Sequence, residues 1–259
     1  MVAAYIRYLW RAGNLHGLHS PFVYALYRDI IRHRHPAPAG TLPIEALRSA
    51  LLNSTESLTI TDMGAGSRRG NNPIRSVATI AKNAQKPARY AWLLHRLVLR
   101  FNAQHVLELG TSLGLTTAYL ANAVAQTNGQ LSSFEGCPNT AALARRHLDQ
   151  LGYSATNLIV GNLDDTLAKT VAQLPQIDLA FFDANHRYEP TVQYFTTCLS
   201  SIHNDTVFIF DDIHWSEGME QAWAAIKEHP AVQVTIDLFG VGLVFFRREQ
   251  PKQHFVLRF

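Results

Sequence analysis

The chain has 259 residues, of which 47% are hydrophobic and 17% charged, with a formal net charge of +3. This composition supplies a full core for one large domain, or for one domain with an appendage. No run of about 18 apolar residues occurs, so no membrane span is expected. The basic groups (residues 32–35, Arg68-Arg69, Arg145-Arg146, Arg247-Arg248) are scattered rather than gathered into the stripe of a nucleic-acid binder.

Residues 1–87 read as a helical, irregular extension. The first helix is amphipathic and lacks the cleavage pattern of a signal peptide. A second begins with Ser20 as cap and Pro21 at its first position. Pro and Gly punctuate Pro36–Gly40. Gly64-Ala65-Gly66 has no strand–helix context and reads as a loop able to close over a pocket. Arg68 and Arg69 read as solvated surface, with an anionic substrate as the alternative. Tyr5, Tyr8 and Trp10 permit a homodimer and equally permit packing onto the rest of the chain. Cys137 and Cys198 make neither a disulfide framework nor a zinc spacing, which suits a reducing, cytoplasmic setting.

Residues 88–259 alternate helix and strand patterns, the mark of a parallel sheet covered on both faces. A helix is expected over Ala88–Arg100. Strands follow at His105–Leu109, Gln130–Glu135, Asn157–Val160, Ile177–Asp183 and Thr206–Asp211. Helices lie between them near Leu115–Ala125, Pro138–Leu151, Asp164–Gln173 and Glu189–Ser201, and a last one spans Ser216–His229. Val232–Asp237 and Val241–Arg247 are joined by Leu238-Phe239-Gly240 alone, too short for a crossover, so this pair must be antiparallel.

Ligands of open α/β sheets bind beyond the carboxyl ends of the strands. Those ends carry Glu108, Glu135, Asp183 and Asp211-Asp212. Such carboxylates repel, and a cationic ligand or a metal ion relieves the repulsion. Glu108 runs into the turn Gly110-Thr111-Ser112-Leu113-Gly114, whose glycines let a ligand approach backbone N–H groups. The spacing is G-x-x-x-G, not the dinucleotide fingerprint. Glu135, before Gly136, is placed to accept hydrogen bonds from vicinal ribose hydroxyls. In Gly161-Asn162-Leu163-Asp164-Asp165 the polar groups either meet an adenine edge or cap a helix, with Asp164 as the cap residue. Asp183, Asp211 and Asp212 are the candidate ligands of a hard divalent ion such as Mg²⁺; the alternative is that Asp183 meets cofactor or substrate directly and no metal takes part. His186 is the candidate proton acceptor and His214 its rival. Either His186 takes a proton or it only hydrogen-bonds a neighbouring carboxylate. Trp215 reads equally as a substrate wall or as a core or lid residue.

With these residues in view, the chain resembles class I S-adenosylmethionine-dependent methyltransferases, in the bacterial branch near the catechol and caffeoyl-coenzyme A O-methyltransferases. The resemblance covers roughly residues 88–248. Glu108–Gly114 resembles the family's first cofactor motif, and Glu135 in Ser133-Phe134-Glu135-Gly136 stands where its ribose-binding acid stands. The resemblance implies a Rossmann-like sheet of five parallel strands plus the antiparallel pair. Counted from His105–Leu109, the implied order is 3-2-1-4-5-7-6. It also implies S-adenosylmethionine as cofactor, bound by Glu108, Gly110, Thr111, Ser112, Gly114, Glu135, Gly136, Asn162, Asp164 and Asp183. In the metal-dependent branch an acid and an Asp-Asn pair hold the ion. Asp183 and Asp211 match that pattern, Asp212 replaces the Asn, and His186 replaces a frequent Lys base. The implied activity is methyl transfer to a small hydroxylated acceptor by residues 88–259, with residues 1–87 as a lid-bearing extension and no nucleic-acid or membrane partner. A nicotinamide-dependent oxidoreductase and a non-catalytic cofactor-binding scaffold are the competing readings. An RNA methyltransferase is disfavoured by the sparse basic surface.

Overall fold

The computed structural model describes residues 2–32, 36–61, 73–84 and 86–259. The Gly64–Gly66 loop, Arg68-Arg69 and most of the 32–35 basic group lie outside the described residues. Helix α1 spans Val2–Arg11 and α2 Pro21–Leu26, continued by a wider turn over Tyr27–Ile31. The Ser20 hydroxyl accepts the Val23 N–H, and Pro21 takes the first helical position, as expected. There follow α3 (Leu42–Leu52), β1 (Ser57–Thr59), β2 (Ile74–Ser76), α4 (Val77–Ala84), α5 (Ala88–Arg100), β3 (His105–Leu109), α6 (Leu115–Gln126), β4 (Gln130–Glu135), α7 (Pro138–Gln150), β5 (Asn157–Val160) and α8 (Leu163–Val171). The chain ends with β6 (Ile177–Phe182), α9 (Tyr188–Cys198), β7 (Ile202–Asp211), α10 (Glu217–Glu228), β8 (Val234–Asp237), β9 (Val241–Phe245) and β10 (Gln253–Val256).

The fold is Rossmann-like α/β with N-terminal helices, and the chain divides into two compact units. One is His35–Lys169; the other joins Met1–Arg34 to Thr170–Phe259. In the 35–169 unit, β3, β4 and β5 are parallel neighbours in the order β3-β4-β5, and the register sets Glu108 opposite Ser133. A core of Ile44, Leu47, Leu51, Val77, Leu113, Tyr119, Leu143 and Leu148 draws α3, α4, α6 and α7 together. The pair β1–β2 is antiparallel and adjoins α7, where the Asn139 amide donates to the Thr59 carbonyl at 2.8 Å.

In the other unit β6 and β7 are parallel, and β9 is antiparallel to both β7 and β8, so the expected antiparallel pair is present. Phe181, Phe208, Phe210 and Phe245 are fully buried around it. Strand β7 begins at Ile202 rather than Thr206, because Ile202 pairs with Ile177 across a register shift. Strand β10 was not expected. It lies parallel to β8 in a register from Gln253↔Val234 to Val256↔Asp237, and the N-terminal helices are tied to its end. The Tyr8 hydroxyl donates to the Leu257 carbonyl at 2.6 Å, the Tyr27 hydroxyl to the Arg258 carbonyl at 2.8 Å, and Gly13 bridges to Leu257. Among the described residues no helix is long and apolar enough to cross a membrane.

Candidate active site

In the 35–169 unit the glycine turn leaves β3 with Gly110 at φ +108°, Ser112 at +49° and Gly114 at +81°. These are left-handed values that glycine adopts without a Cβ clash. The Gly110 and Thr111 N–H groups donate to the Phe134 carbonyl at 3.0 and 2.9 Å, which ties the start of the turn to β4. Glu135, at the end of β4, accepts the Ser112 N–H on Oε2 and the Cys137 N–H on Oε1, both at 2.9 Å. Burial pushes the Glu135 carboxyl up, opposed by the N–H groups of Cys137, Ser112 and Gly136. A carboxylate offers about four lone-pair sites, so this one keeps acceptor capacity beyond those bonds.

Glu108 is fully buried. Its Oε2 accepts the hydroxyls of Thr117 on α6 and Ser133 on β4, each at 2.6 Å, and Ser133 lies 2.5 Å from the Thr111 hydroxyl. This hydroxyl network joins β3, β4, α6 and the turn around one carboxylate. Thr117 and Ser133 escaped the sequence reading, although their signal was there: a polar residue on the buried face of an apolar helix, and one opposite Glu108 on an apolar strand. At the next strand end, Asn162 rather than Asp164 is the cap. Its Oδ1 accepts the Asp164 N–H at 3.2 Å, and Asp164 falls in the first turn of α8. The Asx geometry wins because Asn162 sits just ahead of the first helical residue.

In the other unit, β6 leads to Asp183 and β7 ends at Asp211. His186 Nε2 lies 3.4 Å from an Asp183 oxygen and 3.6 Å from an Asp211 oxygen. Burial opposes charging of this ring, but Asp183 and Asp211 override it and hold its pKa up at about 10. Among the described residues, Asp183, His186 and Asp211 gather their donor atoms within 4.8 Å of one another. Two carboxylates and an imidazole fit a divalent cation. The nitrogen suits borderline ions such as Fe²⁺ or Zn²⁺, whereas Mg²⁺ prefers oxygen alone. Asp212 lies outside this group of three.

Among the described residues of the same unit, three that are not glycine hold positive φ: Asn185 at +51°, Asp212 at +52° and Phe239 at +68°. Such conformations cost on the order of 1–3 kcal/mol each and cluster at functional sites. The Asp212 N–H donates to the Gly240 carbonyl at 3.0 Å, and the Asp212 carbonyl accepts the Trp215 N–H at 2.9 Å. His214 spans Asp237 (Nε2, 2.8 Å) and Glu220 (Nδ1, 3.2 Å) and stacks on Phe239 at 5.3 Å. Burial opposes its charging too, and the two acids still raise it. Tyr5 and Tyr8 of α1 pack on the same Phe239 ring at 4.8 and 5.3 Å. Trp215 is 38% exposed and so is not core.

Residues 107–213 match a family model described as a methyltransferase domain. The match takes in the residues from Glu108 to Asp212 and stops short of His214. A catechol O-methyltransferase of Niastella koreensis is 31% identical over 113 residues, 43% of this chain and 50% of that protein. The chain thus spans about half the length of that curated relative. Among solved structures, the SAH-bound methyltransferase PaMTH1 of Podospora anserina superposes with a TM-score of 0.61 at 14% identity, covering 91% of this chain and 99% of that one. An O-methyltransferase of Bacillus cereus in complex with SAH gives 0.57 at 17% identity, over 85% and 94%. At these identities the structures establish the fold. Residues 107–213 thus resemble a methyltransferase domain, on the fold that the class I methyltransferases share.

Proposed function

We propose that this protein transfers the methyl group of S-adenosylmethionine to a hydroxyl oxygen of a small molecule. The observation that carries the reading is the glycine turn closed against Glu135 by the Ser112 N–H. It places free acceptor capacity beside left-handed backbone, inside the segment that matches the methyltransferase model. In this reading Gly110, Thr111, Ser112, Gly114, Glu135 and Gly136 hold the cofactor's ribose and amino-acid portion. Asn162 and Asp164 meet its adenine, and Glu108 braces the turn from beneath. The strand order 3-2-1-4-5-7-6 belongs to the same proposal, supported by the partial orders within each unit.

Methyl transfer needs the acceptor oxygen in line with the sulfonium carbon at about 3 Å. Asp183 and Asp211 flank His186 and raise its pKa to about 10, so with both acids ionised the ring already holds a proton; it takes one from a hydroxyl only in its neutral form, which a cation on the two acids would restore. His214, the rival base, faces a carboxylate with each ring nitrogen and so has none left to take a proton; in this proposal it is held in place and does not act as the base. A divalent ion would be held by Asp183 and Asp211 beside the His186 ring, with Asp212 outside the group, and would supply Lewis-acid lowering of the hydroxyl pKa. Residues 1–87 act as the extension that keeps water from the acceptor, and residues 88–259 as the catalytic body. The packing of α1 on Phe239, next to the Gly240 that holds Asp212, supports this role. A cytoplasmic enzyme acting on a diffusible acceptor, with no nucleic acid or membrane as partner, completes the proposal; Tyr5 and Tyr8 pack on Phe239 of the same chain, which leaves the exposed Trp10 as the residue that permits a homodimer.

The test is thermal unfolding with S-adenosylmethionine, S-adenosylhomocysteine or NAD, each with Mg²⁺, Mn²⁺ or chelator. Both sulfur cofactors should raise the midpoint by linkage. A rise with NAD alone overturns the reading in favour of an oxidoreductase.

A further inference from the structure

Helix α7 touches the glycine turn at two points. Gly114, the residue that opens α6, has no Cβ; one built there would stand 3.4 Å from Ala144. One helical turn along α7 from Ala144, the His147 ring is buried with Nδ1 2.8 Å from the Leu113 carbonyl. A carbonyl accepts only, so Nδ1 carries the hydrogen and the tautomer is set. The Leu113 carbonyl needs this donor. The first helical bond of α6 runs from the Ala118 N–H to the Gly114 carbonyl, one residue further on. Leu113 itself is buried at 2% exposure, where an unpartnered carbonyl is costly. The start of the turn is tied to β4 through Gly110 and Thr111, and its far end is tied to α7 through His147. Between these ties lies Ser112, whose N–H holds Glu135.

We infer that His147 is a positioning residue for cofactor binding: its Nδ1–H fixes the Leu113 carbonyl and so sets the angle at which Ser112 presents its N–H to Glu135. The inference rests on the cofactor reading proposed above. It assigns to a helix outside the turn a residue that acts on the cofactor only through the turn.

The experiment measures S-adenosylhomocysteine affinity by calorimetry, with steady-state kinetics, for the full chain and for His147→Leu and His147→Asn. Leucine removes the donor. Asparagine places an amide N–H close to where Nδ1–H stood. For His147→Leu the dissociation constant and the KM for S-adenosylmethionine should rise roughly ten-fold, the scale of one buried carbonyl left without its donor. The kcat at saturating cofactor and the KM for the acceptor should hold. His147→Asn should recover most of the affinity. A purely structural role would lower the melting temperature of both variants and depress kcat along with affinity, which overturns the inference. So does a leucine variant with unchanged affinity. Nitrogen-15 NMR of the unaltered protein reads the tautomer without any variant having to fold: Nδ1–H is expected, and Nε2–H sinks the idea. If the unaltered chain binds no S-adenosylhomocysteine, the cofactor reading itself falls. If it binds and His147→Leu binds equally well, only the role of His147 falls.

Discussion

Two pairs of histidines, one buried and one half-buried, respond to their surroundings in opposite ways. In the 35–169 unit, His95 meets the Asn122 amide oxygen at 2.8 Å and His147 meets the Leu113 carbonyl. Both partners are neutral, and burial pushes both rings down. In the other unit, His186 and His214 are also penalised by burial, yet each lies between two carboxylates and each is raised. Burial disfavours the charged ring everywhere; the partner's charge decides whether that penalty prevails. His95 and His147 are therefore kept neutral as fixed donors, whereas His186 and His214 are kept charged beside their acids.

The largest expected effect comes from breaking the charged side of that contrast. Asp183→Ala or Asp211→Ala should reduce kcat by about 10²–10⁴, the usual contribution of positioned acid–base groups. Near-normal turnover would remove this cluster from the chemistry. Glu135→Gln keeps the shape of the cofactor side but removes its charge. Losing charge-assisted bonds of about 1.5–3 kcal/mol should weaken S-adenosylhomocysteine binding by one to two orders of magnitude in calorimetry, with the acceptor KM unmoved.

The contrast itself can be converted. Asn122→Asp gives His95 a carboxylate and should lift its titration, read by NMR, above the usual 6.5. Asp237→Asn should bring His214 back down toward that value. No change in either ring would mean that partner charge is not the deciding term.

The pH dependence of stability should carry both signs. His95 and His147 have lowered folded pKa values. Their contribution is present above 6.5 and is lost as pH falls from 6.5 through those values, since the unfolded chain takes up the protons first. His186 and His214 have raised values. Their contribution is complete below 6.5 and is lost as pH rises, for His186 through about 10. Hydrogen exchange in metal chelator should accordingly show α5 and α6 loosening on the acid side and the ends of β6 and β7 on the alkaline side. The smallest effect is a control outside the contrast. The Ser216 hydroxyl accepts the Met219 N–H at 3.2 Å to cap α10, and Ser216→Ala should cost about 1 kcal/mol in urea unfolding with no shift in either histidine pair.

Local chemistry made much of this molecule legible. Strands β3, β4 and β5 occupy the expected residues because short apolar runs ending in turn residues have few other uses. Gly110 and Gly114 hold positive φ as a tight strand–helix turn demands, and Pro138 opens α7. The three-residue link Leu238–Gly240 could only produce an antiparallel pair, and it did. Strand β10 was not legible, since Gln253–Val256 is extended only because β8 offers it an edge. Nor was the cap at Asn162, where one polar residue outcompetes another by its place in the turn.

From Ala88 to Phe245 the sequence by itself determined the order of helices and strands and the acids at the strand ends, because periodicity and turn chemistry act between near neighbours. Only the tertiary structure decided what those acids do. Glu108 is turned inward onto Thr117 and Ser133, Glu135 is closed over Ser112, and His186 is set between Asp183 and Asp211. It also joined residues 1–34 to 170–259 through Tyr8, Gly13 and Leu257. A carboxylate's partners and burial depend on which distant strands and helices pack around it, and spacing along the chain carries no measure of that.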